Sequence, residues 1–321
     1  GLNLMLGIAY AATIGGIATL IGTPPNTVLA GYLANTYQQE ITFLQWLRIG
    51  LPLSIVFLPL VWWWLTQVAN PMPEYKAPNR ATAIHREIKS MGRMSPGERW
   101  TAAVFALTAT AWIGRPFLIK HCNASDLIND ATIAILGALL LFAIPINLKQ
   151  RIFVMDWSEA AKLPWGVLLL FGGGLSLAQG FQTSGLVDWI VSQTRRIDTW
   201  PTIAVIIAII VTVIFLTELT SNTATTAMLM PVLSGIAIGL EQSPLILIAP
   251  AALAASCAFM LPVATPPNAI IFASGQVTIP QMARCGFGLN IIGIFLVTLL
   301  TYLILIPAFD ITLGEVPAWA K

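Results

Sequence analysis

The sequence predicts an all-α polytopic membrane protein, folded as an inverted repeat with a re-entrant hairpin and two Pro-broken transmembrane helices. Three observations carry that prediction. Hydrophobic residues make up 57% of the 321-residue chain, while charged residues make up 9% and leave a net charge of only +2. A soluble domain of this length would carry roughly a quarter charged residues. A helix-breaking pentad, headed by Gly or Ala, occurs twice inside apolar stretches: Gly22-Thr23-Pro24-Pro25-Asn26 and Ala264-Thr265-Pro266-Pro267-Asn268. Thr217–Thr226 is dense in hydroxyl and amide groups and lies between two apolar arms.

Each element follows from length and composition, since a spanning helix needs about 20 apolar residues. In chain order the expected spans are Leu4–Ala34, broken at the first pentad, then Ile49–Leu65, Arg99–Ile119, Ala131–Ile146 and Pro164–Gln182. Leu245–Ser274, broken at the second pentad, and Gly286–Ile306 complete the set. The arms Thr202–Leu216 and Ala227–Leu240 form the re-entrant hairpin around the polar centre.

Basic residues orient the spans. With the first span starting in the cytoplasm, Lys76, Arg80, Arg86, Lys89, Arg93, Arg99, Lys149, Arg151, Lys162 and Arg284 fall inside. Arg48, Arg115, Lys120, Arg195, Arg196 and Lys321 fall outside. The two pentad helices then cross in opposite directions, as an inverted-topology repeat requires.

Between the spans, Glu74–Glu98 reads as a polar cytoplasmic linker, with a surface helix around Ala81–Lys89. Gly185–Arg196 is amphipathic, too short to span, and reads as an interfacial helix. Cys122 is placed in a loop, Cys257 and Cys285 in or beside apolar segments, and no pair has disulfide or zinc spacing. His85 and His121 stand alone, so no metal site of the His/Cys kind is expected. The chain opens Gly1-Leu2-Asn3-Leu4 without a start Met or a signal-peptide pattern, as an N-terminally truncated protein would.

The polar centre has its own chemistry. Ser, Thr and Asn compete with the helix backbone for hydrogen bonds, which favours a break. A second arm starting near Thr223 would aim its free N–H groups and positive dipole end into that break, where an anionic carboxylate fits without Arg or Lys. Carbonyls freed at the end of the first arm and at the Pro-broken helix are hard oxygen donors suited to Na⁺. The competing reading is an unbroken helix whose hydroxyls bond back to the i−4 carbonyl. Glu218 has two readings, an intramembrane proton or ion carrier or a structural residue at a helix end.

Other motifs have bland accounts. Phe171-Gly172-Gly173-Gly174 lacks the preceding strand and the following Lys-Ser/Thr of a phosphate loop, and suits close helix packing. Trp62-Trp63-Trp64 reads as an interfacial aromatic belt. There is no GxSxG, no HExxH and no His near an apolar-embedded Ser or Asp, so enzymatic catalysis is not expected. No motif suggests a nucleic-acid partner.

Irregular backbone at membrane depth survives only where protein or a water-filled cavity surrounds it, and two broken helices in matching positions point to a transporter binding site. Ser221-Asn222-Thr223 followed by Thr265-Pro266-Pro267-Asn268, with the earlier Gly22-Thr23-Pro24-Pro25-Asn26, resembles the divalent anion:Na⁺ symporter family, the INDY-type dicarboxylate transporters. The resemblance covers most of the chain. It implies that Ser221, Asn222 and Thr223 touch a substrate carboxylate, with Thr265 and Pro266 on the opposing loop and Thr23 and Pro24 facing the substrate. It implies one Na⁺ among Thr217, Thr220, Asn222 and Ala264, and a second Na⁺ on Gly22. The family's first-repeat Ser-Asn-Thr hairpin would precede Gly1.

The implied function is Na⁺-coupled symport of a C4-type dicarboxylate such as succinate, malate or fumarate. The implied protein is a homodimer in a bacterial inner membrane, working by an elevator-like movement of a transport domain against a scaffold. The corresponding division is 1–48 for the end of the first repeat, 49–73 for a scaffold helix and 74–98 for the linker. Residues 99–163 hold the scaffold helices of the second repeat, 164–285 the transport region and 286–321 the last helix and tail. Within the same class, Na⁺-independent dicarboxylate exchange and sulfate or citrate symport fit the same half-site. A channel or structural membrane subunit is the alternative from another class, although no pore-lining ring of charges is present.

Overall fold

Half-length helices that end against one another are the recurring unit of this chain. A computed structural model describes residues 1–71, 85, 89–90, 92–122, 129–163, 165–186, 189, 192 and 200–320. The surface helix expected at Ala81–Lys89 and the interfacial helix expected over Gly185–Arg196 lie largely outside the described residues. The chain divides into two compact units, Gly1–Met72 with Gly166–Lys321, and Pro73–Trp165.

The first unit opens with α1 (Leu2–Ile17) and α2 (Pro24–Tyr37). Six residues separate them, and α2 starts on a proline whose fixed φ and missing N–H suit the first helical position. α3 (Phe43–Trp63) follows, started by a capping box in which Thr42 and Gln45 satisfy each other's main-chain N–H groups. Beyond Trp63 it widens into a π-helical turn, Trp64–Ala69. Later in the chain come α7 (Gly166–Thr183), α8 (Thr202–Thr217), α9 (Asn222–Gly239), α10 (Leu245–Ala255), α11 (Pro266–Ala273) and α12 (Ile279–Leu300). α12 has its own capping box, Thr278 with Gln281, and loosens into a π turn at Thr301–Leu305. Pro307 follows, and it can neither donate to the ladder nor accept the carbonyl of the preceding turn close by.

By length and composition, two described helical runs suffice to cross a bilayer: Phe43–Ala69 with mean hydropathy 1.7 and Ile279–Ala308 with mean hydropathy 2.5. α1, α8 and α10 are as apolar but are 16, 16 and 11 residues long, short of a full span. Such half-length helices leave unpaired main-chain groups at their inner ends.

Packing interleaves these halves. α1 lies against α11, while α2 lies against α10, so the two interrupted helices pair first half to second half. α9 fills the space between α7, α10 and α2, and α8 packs on α10 and α12. α3 packs along α1 and caps its open end: the Trp46 indole N–H donates to the Ile17 carbonyl at 3.1 Å, and the Ser54 hydroxyl donates to the Ile14 carbonyl at 2.8 Å. The core is α10, buried along its whole length, together with Trp46, Tyr10, Phe57 and Phe259.

The second unit contains α4 (Pro96–Cys122), α5 (Asp130–Ala143), a two-stranded hairpin of β1 (Pro145–Asn147) and β2 (Ile152–Phe153), and α6 (Trp157–Ala160). Two expectations change here. Cys122 belongs to the last turn of a helix and not to a loop. The span expected to reach Ile146 stops at Ala143, because Pro145 drives the residue before it out of the helical region and Ile144 is extended at φ −78°, ψ 115°. α4 is started by Ser95 and Glu98: the Glu98 N–H donates to the Ser95 hydroxyl, and the Ser95 N–H, donating to Glu98 Oε2, is the main influence holding that carboxyl below its usual range. Arg115 pairs with Asp130 across 3.3 Å and ties α4 to the start of α5.

Candidate functional site

The polar centre breaks over four residues. α8 ends at Thr217, Glu218–Ser221 are irregular, and α9 restarts at Asn222. Ser221 is the N-cap, with extended φ −69° and ψ 122°, and its hydroxyl accepts from the Ala224 N–H. The Asn222 and Thr223 N–H groups, first in α9, have no hydrogen-bond partner among the described residues. Two free donors and the positive end of an 18-residue helix therefore face the break. Of the hydroxyls, Thr217 bonds back to the Val213 and Ile214 carbonyls, as the unbroken-helix reading would have it. Thr220 bonds back in the same way, to the Leu216 carbonyl at 2.8 Å, and its oxygen also meets the Thr225 hydroxyl across the break at 2.7 Å.

The two pentads adopt one local geometry. Thr23 and Thr265 are both N-caps in extended conformation, at φ −145° and −141°, and each hands over to two prolines that begin a helix. The final Asn of each pentad is fully buried and donates its amide to the carbonyl seven residues upstream: Asn26 to Thr19 at 2.9 Å and Asn268 to Leu261 at 3.1 Å. This amide brace closes the turn that the prolines open, and it accounts for Asn being part of the repeat. Because prolines carry no N–H, α2 and α11 offer little hydrogen-bond donation at their starts. Donors therefore concentrate at α9, and the pentad loops contribute hydroxyls and carbonyls.

Gly22 is fixed by contact. A Cβ there would collide with the Gly16 carbonyl and lie 2.8 Å from the Thr19 hydroxyl. Across the molecule, the Thr23 hydroxyl meets the Ser256 hydroxyl at 3.2 Å, joining the first interruption to the start of the second.

Glu218 holds the second interruption. Its Oε1 accepts from the Phe259 N–H at 2.7 Å, the Met260 N–H at 2.9 Å and the Asn290 amide at 2.8 Å. Its Oε2 accepts from the Met260 and Leu261 N–H groups, both at 3.0 Å. An ionised carboxylate accepts only, and every partner donates. Of the two readings of Glu218, the geometry follows the structural one.

The residues expected at the site fall as follows. Thr217, Thr223, Ala264 and Thr265 are buried, Asn222 and Thr23 are half-buried, and Gly22, Pro24, Thr220, Ser221 and Pro266 are exposed. The hairpin break meets the second interruption through Glu218, although no hydrogen bond joins Ser221, Asn222 or Thr223 to Thr265 among the described residues. Among the described residues, the Thr217, Thr220, Ala264 and Gly22 carbonyls accept no hydrogen bond, and the buried Asn222 Oδ1 has no partner. Unsatisfied hard oxygens of this kind fit a small cation such as Na⁺. Sequence reasoning missed Ser256, Asn290 and the main chain of Phe259–Leu261. The available signals were an Asn in an otherwise apolar helix and a Glu in an otherwise apolar arm.

The family model for the sodium:sulfate symporter transmembrane region matches residues 1–307. The sodium-dependent dicarboxylate transporter SdcS of Staphylococcus saprophyticus is 42% identical over 313 residues, covering 97% of this chain and 60% of the relative. SdcS of Staphylococcus aureus is 43% identical over 314 residues, covering 98% of this chain and 60% of the relative. The chain thus spans about three-fifths of the length of these curated relatives. With a family model covering nearly all of it and such identity to sodium-dependent dicarboxylate transporters, the chain belongs to the sodium:sulfate symporter transmembrane family and is integral to the membrane.

Proposed function

We propose that this chain carries the second substrate half-site of a Na⁺-coupled dicarboxylate symporter, with succinate, malate or fumarate as substrate. The observation that carries the reading is the break at Glu218–Ser221, where unpaired N–H donors and unpaired carbonyls lie a few residues apart. The donors of Asn222 and Thr223, with the Ser221 hydroxyl, take a carboxylate; Thr23 and Pro24, with Thr265 and Pro266, line the opposing loops. The Thr217, Thr220 and Ala264 carbonyls with Asn222 Oδ1 hold one Na⁺, and the Gly22 carbonyl contributes to another. Placing the cation beside the anion offsets the charge of both, which is the physical basis of coupling.

The two interrupted helices are read as Pro-broken transmembrane helices of an inverted repeat, and α8–α9 as a re-entrant hairpin; the first-half-to-second-half pairing supports that reading. For an elevator-like movement in a homodimer, we assign α3 to the moving body, in place of the scaffold role expected for 49–73. Its side chains are hydrogen-bonded to the end of α1, and sliding would strand those carbonyls. α4 and α5 remain the scaffold candidates.

Uptake of labelled succinate by the whole protein in proteoliposomes tests the proposal. The expected result is uptake driven by a Na⁺ gradient and lost when K⁺ replaces Na⁺. Undiminished uptake in K⁺ refutes the coupling, and counterflow on internal dicarboxylate without Na⁺ would establish exchange instead. Uptake of sulfate but not succinate would move the substrate within the same family.

A further inference from the structure

We infer that Glu218 is a positioning residue: its carboxylate clamps the unwound segment Phe259–Leu261 to the hairpin break, so that both halves of the cradle move as one body. The inference rests on the function proposed above and deepens it by naming what holds the cradle together.

Glu218 is 3% exposed and sits in sequence between Thr217 and Thr220, whose carbonyls accept no main-chain hydrogen bond among the described residues. It spends both oxygens on three consecutive main-chain N–H groups, 41 to 43 residues away in sequence. Those N–H groups belong to residues that no helix satisfies, since α10 has ended at Ala255 and α11 does not begin until Pro266. Without the carboxylate the buried Phe259 N–H would lack a partner, at a cost of about 1–3 kcal/mol, and the half-buried Met260 and Leu261 N–H groups would lose theirs as well.

The clamped segment is fixed from the other sides as well. The Phe259 carbonyl accepts from the Tyr10 hydroxyl of α1 at 3.0 Å, and its ring meets the Tyr10 and Phe57 rings edge to face. Gly286 of α12 lets the Phe259 carbonyl approach where any Cβ would collide with it. Asn290, one turn further along α12, supplies the fourth donor to Glu218. Leu261 receives the Asn268 amide brace, so the clamp connects through that turn to Ala264 and Thr265. The position of the Ala264 carbonyl relative to Asn222 is therefore set by Glu218, which itself touches neither substrate nor ion.

The test is Glu218→Gln in the whole protein. The amide keeps the shape but replaces one acceptor oxygen with an NH₂ group facing main-chain N–H donors. Loss of one or two hydrogen bonds to a charged group corresponds to about 10- to 100-fold. That loss is expected in the KM for succinate and in the Na⁺ concentration for half-maximal uptake, while the maximal rate falls by much less. A residue with a purely structural role would lower the amount of active protein and leave both constants unchanged. Wild-type constants in Glu218→Gln overturn the inference.

Cys257, buried two residues before Phe259, provides a readout that does not depend on transport. Its maleimide labelling, located by mass spectrometry, is expected to rise severalfold in Glu218→Gln, and unchanged labelling overturns the clamp. If wild-type protein carries no succinate, the proposed function fails while the labelling still decides the clamp. Should Glu218→Gln not purify as a monodisperse protein, Asn290→Ala removes one donor and leaves the carboxylate in place. It is expected to raise both constants by a few-fold, and wild-type constants there also overturn the inference.

Discussion

The two pentad turns share a sequence and a local geometry but are stabilised in opposite ways. In the first, α1 continues to Ile17, and only six residues separate it from α2. In the second, α10 stops at Ala255, four residues earlier relative to the pentad, and ten residues separate it from α11. The difference is where the main-chain N–H groups go. Ala18 still donates to the Gly15 carbonyl, as in a helix, whereas Phe259, Met260 and Leu261 donate to Glu218. A single carboxylate from another element thus replaces a turn of helix. Side-chain volume differs to match: the tight first turn requires Gly22, and the wider second turn accommodates the buried Ala264.

The comparison can be broken experimentally, beginning with the start of α9, to which the function proposed above assigns the substrate donors. Asn222→Ala removes an orphan amide oxygen and a half-buried amide at the start of α9. Uptake by the whole protein is expected to fall by about 100-fold or more, equivalent to losing roughly 3 kcal/mol of hydrogen bonding to charged species. Size-exclusion profiles should stay those of folded protein; wild-type uptake would show that the site lies elsewhere.

Exchanging the first residues of the pentads gives unequal effects. Gly22→Ala puts a methyl group into the Gly16 carbonyl, and the overpacking should cost about 1–3 kcal/mol of thermal stability and weaken Na⁺ dependence. Ala264→Gly adds only chain entropy in the unfolded state and should cost about 0.4–1 kcal/mol. Equal melting temperatures for the two variants would remove the distinction between a tight and a wide turn.

A smaller difference is expected between Asn268→Ala and Asn26→Ala. Each strands a half-buried carbonyl, at about 1 kcal/mol or somewhat more. Asn268 also reaches the Ala258 carbonyl at 3.4 Å, so its loss should cost slightly more. If neither variant lowers the melting temperature, the amide brace is not what closes the turns.

Much of this was legible in the residues. Paired prolines give up main-chain donors, so the starts of α2 and α11 fall where the pentads place them, and Ser221 caps α9 as its side chain favours. The high apolar content set the helical class. The extent of unwinding before the second pentad was not legible, because Ser256–Val263 is as apolar as the helix it leaves and its partners come from Glu218 and Asn290, distant in sequence. The attachment of α3 to α1 was hidden for a similar reason: Trp46 and Ser54 read as ordinary residues of an apolar span until the carbonyls at the end of α1 are seen opposite them. The stop at Ala143 was legible in Pro145, had its effect on the preceding residue been applied.

Amide hydrogen exchange on the whole protein, in Na⁺ with succinate against K⁺ alone, tests the cradle most directly. Slowed exchange is expected at Asn222 and Thr223, the free N–H groups at the start of α9, appearing only when Na⁺ and succinate are both present. Exchange there that is the same in both conditions, with protection arising elsewhere in the chain, would contradict it.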